Sequence, residues 1–339
     1  MEKNEFNDKI ILVIGGTGTI GSELVRQLLT FEPRQVRVLS RDENKQYHLL
    51  EELNYPKNLR LLIGDVRDRA RLELALQNVD IVLHAAAMKH VSLCEYNPFE
   101  AVQTNIIGSQ NVIEAALAAS VKKVIAISTD KAVGPTNVMG ASKLLMEKMF
   151  VNVNHFTAPH STSFACVRFG NVTWASGSVL PLWQRQIEQN ARIRVTNNDM
   201  TRFLMSTKQA VSLILEATSI SRGGEIFLLK MPATKLTELA QVFIAKYYSD
   251  KKITIELVGL RPGEKLHEEL FDTSDLSKKI FESNRMFIIT PHSIEIYQAP
   301  SINHDEYYQS LGFAEIKEPG RKSWASKDHL DTEAIKQFI

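Results

Sequence analysis

The run Ile10-Ile11-Leu12-Val13-Ile14 is continuously apolar and passes without a break into Gly15-Gly16-Thr17-Gly18-Thr19-Ile20-Gly21. Beyond the last glycine the pattern turns helical over 22–29. A strand with no polar alternation is buried on both faces, as in a parallel sheet covered by helices. Glycines at 15, 18 and 21 suit a strand–turn–helix junction that grips a pyrophosphate. The turn needs a residue without a side chain, the backbone must come close to the phosphates, and the helix must pack tightly on its strand. The helix amino terminus then faces the negative charge. A glycine-rich stretch alone says little, but this one has the flanking strand and helix that the task requires. Gly15, Thr17, Gly18, Thr19, Ile20 and Gly21 are therefore the expected cofactor cradle.

Further apolar runs follow at 36–39, 59–63, 80–84, 124–127 and 164–169, alternating with helical patterns at 45–53, 99–119 and 137–153. That alternation predicts an α/β chain with a Rossmann-type doubly wound parallel sheet. The tip of the second strand reads Ser40-Arg41-Asp42. In a Rossmann unit this tip meets the adenosine ribose, where an acidic residue favours a free 2′-hydroxyl and an arginine a 2′-phosphate. Ser40 and Arg41 come first, so NADP is the expected cofactor and NAD the alternative. Asp65, followed by Val66, stands where it would accept from the adenine amino group; its other reading is a helix cap. Ala85, Ala86 and Ala87 offer small side chains against a cofactor, and Lys89 and His90 come next in the crevice. Asn105, polar within the 99–119 pattern, is placed to hold a water or a backbone carbonyl.

After Gly170-Asn171-Val172 the texture changes. Helices are expected at 178–188, 206–217 and 236–247, with strands at 192–195, 225–229 and 253–257. Residues 200–203 read as a turn carrying Arg202, and 259–265 as a loop carrying Arg261 and Glu264. The expected organisation is a cofactor-binding domain over 1–172, joined by about 206–230. A smaller mixed α/β substrate lobe takes 173–205 and 231–290, and no function is assigned to the tail from 291 to 339.

The chemistry concentrates in Ser128-Thr129-Asp130-Lys131 and, a loop later, Met139-Gly140-Ala141-Ser142-Lys143. The first segment follows a buried strand, so it sits at the strand's carboxyl end, where open α/β sheets bind ligands. Met139 and Lys143 are four apart and share a helix face. A hydroxyl, a carboxylate and two amines thus converge on one crevice. Taken singly, Asp130 would cap the following helix and the lysines would be solvated.

The formal net charge of +1 leaves no basic footprint for nucleic acid. Two cysteines, Cys94 and Cys166, lack metal-ligand spacing, so no metal is expected and a reducing, cytoplasmic setting is. Residues 1–9 are too polar for a signal peptide, and no apolar run approaches a membrane span.

Several motifs together resemble the extended short-chain dehydrogenases/reductases that act on nucleotide sugars. Within that family they are most similar to the soluble UDP-N-acetylglucosamine 4,6-dehydratases of bacterial polysaccharide biosynthesis. The motifs are the glycine turn at 15–21, Ser-Arg-Asp-Glu-Asn-Lys-Gln at 40–46, Ala-Ala-Ala-Met-Lys-His-Val at 85–91 and Glu-Tyr-Asn-Pro at 95–98. Ser-Thr-Asp-Lys-Ala-Val at 128–133, Asn-Val-Met-Gly-Ala-Ser-Lys at 137–143, Arg-Phe-Gly-Asn-Val at 168–172 and Arg-Pro-Gly-Glu-Lys at 261–265 complete the set. They span about residues 10 to 270, and the Thr-Asp-Lys element is the most specific. The wider family carries Tyr where this chain has Met139, and a Met branch exists among the dehydratases.

The resemblance implies hydride removal from the sugar C4, loss of the C5 proton with the C6 hydroxyl as water, and hydride return to C6. The roles implied are Lys131 as the C5 base, Asp130 as the proton carrier for the leaving hydroxyl, Thr129 as a partner of the 4-hydroxyl and Lys143 as the holder of the nicotinamide ribose. Met139 exchanges no proton. Lys89, His90, Asn171, Arg202, Arg261 and Glu264 are the implied substrate ligands, with Arg168 a further candidate for the diphosphate. A homodimer or higher homo-oligomer is implied as well. A nucleotide-sugar 4-epimerase and a non-catalytic NADP-binding sensor or scaffold are the alternatives.

Overall fold

The computed structural model describes residues 5–156, 162–271, 279–291, 303–316, 324–337 and 339. Its centre is a ten-stranded sheet. From one edge the order is Leu59–Ile63, Gln35–Ser40, Ile10–Ile14, Ile81–His84, Lys123–Ile127, Ser163–Arg168 and Ile226–Leu229, all parallel. Met286–Ile289, Ile280–Glu282 and Ala314–Glu315 then extend it antiparallel. All four residues of Ile81–His84 are buried, as a strand covered on both faces must be. Strand order reverses between Ile10–Ile14 and Ile81–His84, and a crevice opens there beyond the carboxyl ends.

The helical pattern at 99–119 is not one regular helix. Pro98–Ala101 and Gly108–Ala118 are joined by a π-helical turn, Val102–Ile107. The wider turn carries Asn105 inward, 1% exposed. Its carboxamide accepts from the Met88 N–H at 2.8 Å and donates to the Met88 carbonyl and Ser142 Oγ, each at 2.9 Å. The helix therefore clasps the loop that follows the Ile81–His84 strand.

The smaller lobe holds a three-stranded sheet of Asn171–Val172, Thr201–Met205 and Ala233–Lys235, and a parallel pair of Arg192–Val195 with Thr254–Leu257. Leu180, Trp183, Ile193 and Phe243 form its core together with Ile335 and Ile339.

Two expectations are corrected. Residues 200–203 do not turn: Thr201–Met205 is a fully buried strand, and Thr201 and Arg202 masked its apolar character. Residues 231–290 are not all in the smaller lobe, because Ile280–Glu282 and Met286–Ile289 join the large sheet through Ile226–Leu229. The tail, left without a function by its sequence, packs into both cores. Tyr308 is buried with its hydroxyl 2.8 Å from Glu225 Oε1, and the Leu270 N–H donates to the Trp324 carbonyl at 2.9 Å. The tail's remaining residues, 292–302, 317–323 and 338, lie outside the described residues.

Candidate active site

A groove of about 600 Å³ lies at the strand-order reversal, within the range of small-molecule sites. Its floor is the glycine turn. Gly15 has φ +81°, and a Cβ there would lie 2.7 Å from the Ala86 nitrogen. A Cβ on Gly21 would lie 2.2 Å from the Gly15 carbonyl oxygen, so only glycine allows the helix this close. Thr19–Leu29 starts at Gly18 with neither a capping side chain nor an acidic residue in its first turn. Its amino terminus is thus left for an anion. Val66, Ala85, Ala86 and Ala87 form the opposite wall. Small residues, bare backbone and a helix terminus at one groove fit a dinucleotide cofactor.

The adenosine end is more occupied than the sequence indicates. Gln46 Nε2 donates to Ser40 Oγ at 2.9 Å, and Asp42 caps the next helix by accepting from the Lys45 N–H at 3.0 Å. Asp65 lines the groove, but Arg67 grips its carboxylate at 3.1 Å through Nε and 2.8 Å through its terminal nitrogen. Burial alone would raise the Asp65 carboxyl; Arg67, with Arg41 behind it, outweighs burial and lowers it. The exposed Arg41, 3.8 Å from Asp65, also lines the groove.

The reactive segment leaves the Lys123–Ile127 strand and forms a tight turn over Asp130–Ala132, capped by Thr129. Thr129 Oγ1 donates to Asp130 Oδ1 at 2.9 Å, and Lys131 Nζ donates to the same oxygen at 2.9 Å. Lys131 Nζ also lies 3.5 Å from Asn171 Oδ1 and 3.5 Å from Glu268 Oε1. Asp130 is wholly buried and its Oδ2 has no hydrogen-bond partner; the same holds for Oε2 of the buried Glu268. Asp130 is therefore not a helix cap. Asn137 caps the Val138–Asn152 helix instead, accepting from the Gly140 N–H at 2.8 Å.

Lys131, the expected C5 base, holds its charge. Burial works against its charge, but Asp130 and Glu268 outweigh both burial and the nearby Arg202, so its pKa is raised. The amine is protonated in the resting molecule.

Gly140 brings its helix onto this turn: a Cβ there would lie 2.3 Å from the Lys131 carbonyl oxygen. Met139, 4% exposed, packs with Cys94 and Ala101. Lys143 donates to the Ile127 carbonyl at 2.7 Å, and burial pushes its ammonium down to about 8.

A strap at 173–178 crosses the glycine turn. Lys89 Nζ donates to the Ser176 carbonyl at 2.8 Å, and the Ser176 N–H donates to Thr19 Oγ1 at 3.1 Å. The His90 ring lies against Gly177, where a Cβ would stand 2.3 Å from Cε1. Lys89, His90 and Thr19 thus meet on the strap.

Two of the expected arginines are engaged within the protein. Arg202 is buried and its guanidinium donates to the carbonyls of Thr201 at 2.8 Å, Leu266 at 3.2 Å and Lys265 at 2.9 Å. Arg168 is buried against Glu147 through two bonds of 3.0 and 2.7 Å and donates to the Leu270 carbonyl at 2.6 Å. Arg261 stays exposed, in a turn closed by Glu264. That loop docks at the start of the Val138–Asn152 helix, where the Gly263 carbonyl accepts from Thr136 Oγ1 and Asn137 Nδ2 at 2.9 Å each.

Glu268 escaped the sequence analysis. It sits in a charged, aperiodic loop just past Arg-Pro-Gly-Glu-Lys, and only the tertiary fold carries it to Lys131. Among the described residues no cluster of His, Cys, Asp and Glu could hold a metal ion, and no helix is long and apolar enough to cross a membrane.

Known proteins resemble this chain in sequence and fold. A family model described as polysaccharide biosynthesis protein matches residues 11–291. An uncharacterized membrane protein of Methanocaldococcus jannaschii is 49% identical over 86% of this chain and 89% of its own. A UDP-N-acetylglucosamine 4,6-dehydratase (inverting) of Campylobacter jejuni is 43% identical over 84% of each chain, and a UDP-glucose 4-epimerase of Rickettsia bellii 42% over 80% of each. The X-ray structure of Pen from Bacillus thuringiensis superposes with a TM-score of 0.87 at 42% identity, covering 98% of this chain and 97% of that one. The glycine cradle, the parallel sheet and the extent of these matches lead to one conclusion: the chain belongs to the polysaccharide biosynthesis protein family and has the extended short-chain dehydrogenase/reductase fold.

Proposed function

We propose that the protein is a hydro-lyase, a UDP-N-acetylglucosamine 4,6-dehydratase that makes a UDP-4-keto-6-deoxy-N-acetylhexosamine for surface polysaccharide biosynthesis. The observation that carries this is the contact of Asp130 with Lys131 at the strand end, with Asp130 Oδ2 buried and unpartnered. A nicotinamide cofactor, when bound, supplies the hydride acceptor and returns the hydride. Asp130 takes the proton of the 4-hydroxyl, oriented by Thr129. Lys131 removes the C5 proton, which is acidified by the neighbouring 4-ketone. Asp130 then gives its proton to the departing 6-hydroxyl, which leaves as water. Lys143 holds the nicotinamide ribose, Met139 supplies an apolar wall, and Lys89, His90, Asn171, Arg261 and Glu264 surround the substrate.

The Campylobacter relative's name supports this activity, and the rickettsial relative's name supports a 4-epimerase. An epimerase needs no acid for C6, so the Asp130–Lys131 pair favours the dehydratase. Incubation with UDP-N-acetylglucosamine should yield a product lighter by one water. A product of unchanged mass but altered C4 configuration would establish the epimerase, and no product would leave a binding protein.

The proposed cofactor is NADP, because helix capping engages Asp42, while the exposed Arg41 lines the groove and meets Asp65 only at 3.8 Å. Arg41→Ala should weaken NADP by about 1–3 kcal/mol, the size of a charge-assisted hydrogen bond, and leave NAD nearly unaffected. Cofactor released from purified protein and found to be NAD alone would overturn the choice.

A further inference from the structure

A protonated lysine takes no proton from carbon, so Lys131 must first unload its own. We propose that Glu268 is the store: the Lys131 ammonium passes a proton to Glu268 Oε1 once Asp130 is neutralised, and recovers it when the cycle closes. This rests on the dehydratase reading.

In the resting geometry Lys131 Nζ is 2.9 Å from Asp130 and 3.5 Å from Glu268, so Asp130 holds the ammonium first. Glu268 is 2% exposed, with Oε2 unpartnered. Arg202 approaches its Oε1 only to 3.8 Å. A purely structural ion pair is satisfied at both oxygens, as Glu147 is by Arg168 at 3.0 and 2.7 Å. Glu268 is instead a buried carboxylate with spare acceptor capacity at Oε2. Its backbone is fixed by Ser326, whose Oγ accepts from the Glu268 N–H at 3.0 Å and meets Thr201 Oγ1 at 2.6 Å. The charged groups facing Lys131 are Asp130 on its own turn, Glu268 from the loop and Arg202 from the neighbouring strand.

The protons balance. The 4-hydroxyl proton neutralises Asp130, and Lys131 then hands its proton to Glu268 and becomes a free amine. The amine takes the C5 proton, and the Asp130 proton leaves with the 6-hydroxyl as water. After the hydride reaches C6, Lys131 reprotonates C5 and recovers the stored proton from Glu268. All three groups end as they began. Glu268 acts through Lys131 and not on the sugar, so it is a positioning and proton-holding residue.

The test compares the parent full-length chain, Glu268→Gln and Glu268→Asp with UDP-N-acetylglucosamine. Glu268→Gln should still show transient nicotinamide reduction but lose roughly 10²–10⁴-fold in water release, the range of acid–base help. The loss should fall on kcat, and the rate should climb with pH as solvent takes over the proton. Glu268→Asp should recover part of the rate. An unchanged rate and pH profile overturns the proposal. So does a pH-independent loss that Asp does not rescue, which a merely structural role would give. A second arm needs no substrate: NMR of ε-¹⁵N-labelled lysine should show Lys131 titrating lower in Glu268→Gln than in the parent, and an unmoved titration overturns the sharing. A parent that titrates as expected but releases no lighter product defeats the dehydratase reading instead.

Discussion

Lys131 and Lys143 are both buried lysines, and their surroundings drive them apart. Lys131 has two carboxylates and keeps its charge; Lys143 has a carbonyl and a thioether within reach, and burial depresses it to about 8. Lys143→Met should therefore stabilise the cofactor-free protein at pH 7, by at most about 3 kcal/mol. The lost bond to the Ile127 carbonyl offsets about 1 kcal/mol of that. The sign follows from proton counts. Between a folded pKa of about 8 and the ordinary 10.5, the unfolded chain binds more protons, so parent stability rises with pH across that window. The variant's advantage should shrink there, as urea unfolding at stepped pH would show; an advantage constant with pH contradicts the assignment. Asp130 and Met139 make a second contrast. Asp130→Asn keeps the shape but exchanges no proton, and should cost about 10²–10⁴-fold in turnover. Met139→Leu keeps the wall with Cys94 and Ala101, a packing change usually below about 1.5 kcal/mol, and should cost no more than roughly tenfold. Steady-state rates giving the reverse order would move the proton traffic to Thr129. Thr129, Asp130 and Lys131 were legible because they adjoin in sequence after an apolar strand. Glu268 was not, since long-range contacts alone give it a partner.

At the scale of elements, legibility followed periodicity. The Ile10–Ile14, Leu59–Ile63 and Arg192–Val195 strands emerge where their apolar patterns place them. Thr201–Met205 was hidden because Arg202 is buried by pairing with carbonyls, which no hydropathy pattern records. The π-helical turn was hidden for a related reason: the 99–119 pattern keeps its apolar face, and one polar residue, Asn105, carries the only sign. That residue makes the turn useful, since its amide answers both backbone groups of Met88 beside the cofactor groove. Asn105→Ala leaves those half-buried groups unpaired, at about 1–2 kcal/mol each, the lower part of the usual range. The variant should be destabilised by roughly 2–4 kcal/mol and bind cofactor more weakly. Chemical denaturation together with cofactor titration measures both, and a loss below about 0.5 kcal/mol, the size of an ordinary surface change, would deny the turn this role.

At the scale of the whole molecule, the tail contributes to both cores: Ile335 and Ile339 complete the small one, while Tyr308 and Phe313 pack on the large one. What the fold leaves uncovered is a row of apolar side chains along one pair of helices. Tyr96 is 86% exposed, Phe99 83% and Leu145 46%, and Val102 and Ile107 lie between them in sequence, also exposed. A helix covered by its own sheet on one side needs no apolar residues on the other. We predict a homodimer in which the Pro98–Ala118 run and the Val138–Asn152 helix pair with their copies across a two-fold axis. A two-fold contact presents the same patch twice, so each altered residue is felt twice. Light scattering at micromolar concentration should give twice the chain mass for the parent. Phe99→Glu combined with Leu145→Glu should bring it to the chain mass, because four carboxylates would then meet in one apolar contact. Both residues are exposed, so the monomer should keep its fold by circular dichroism. Since Met139 packs against Cys94 and Ala101 just beneath this face, its cofactor affinity should fall when the copies separate. A parent that scatters as a monomer refutes the dimer. A double variant that still scatters as a dimer places the contact on another face.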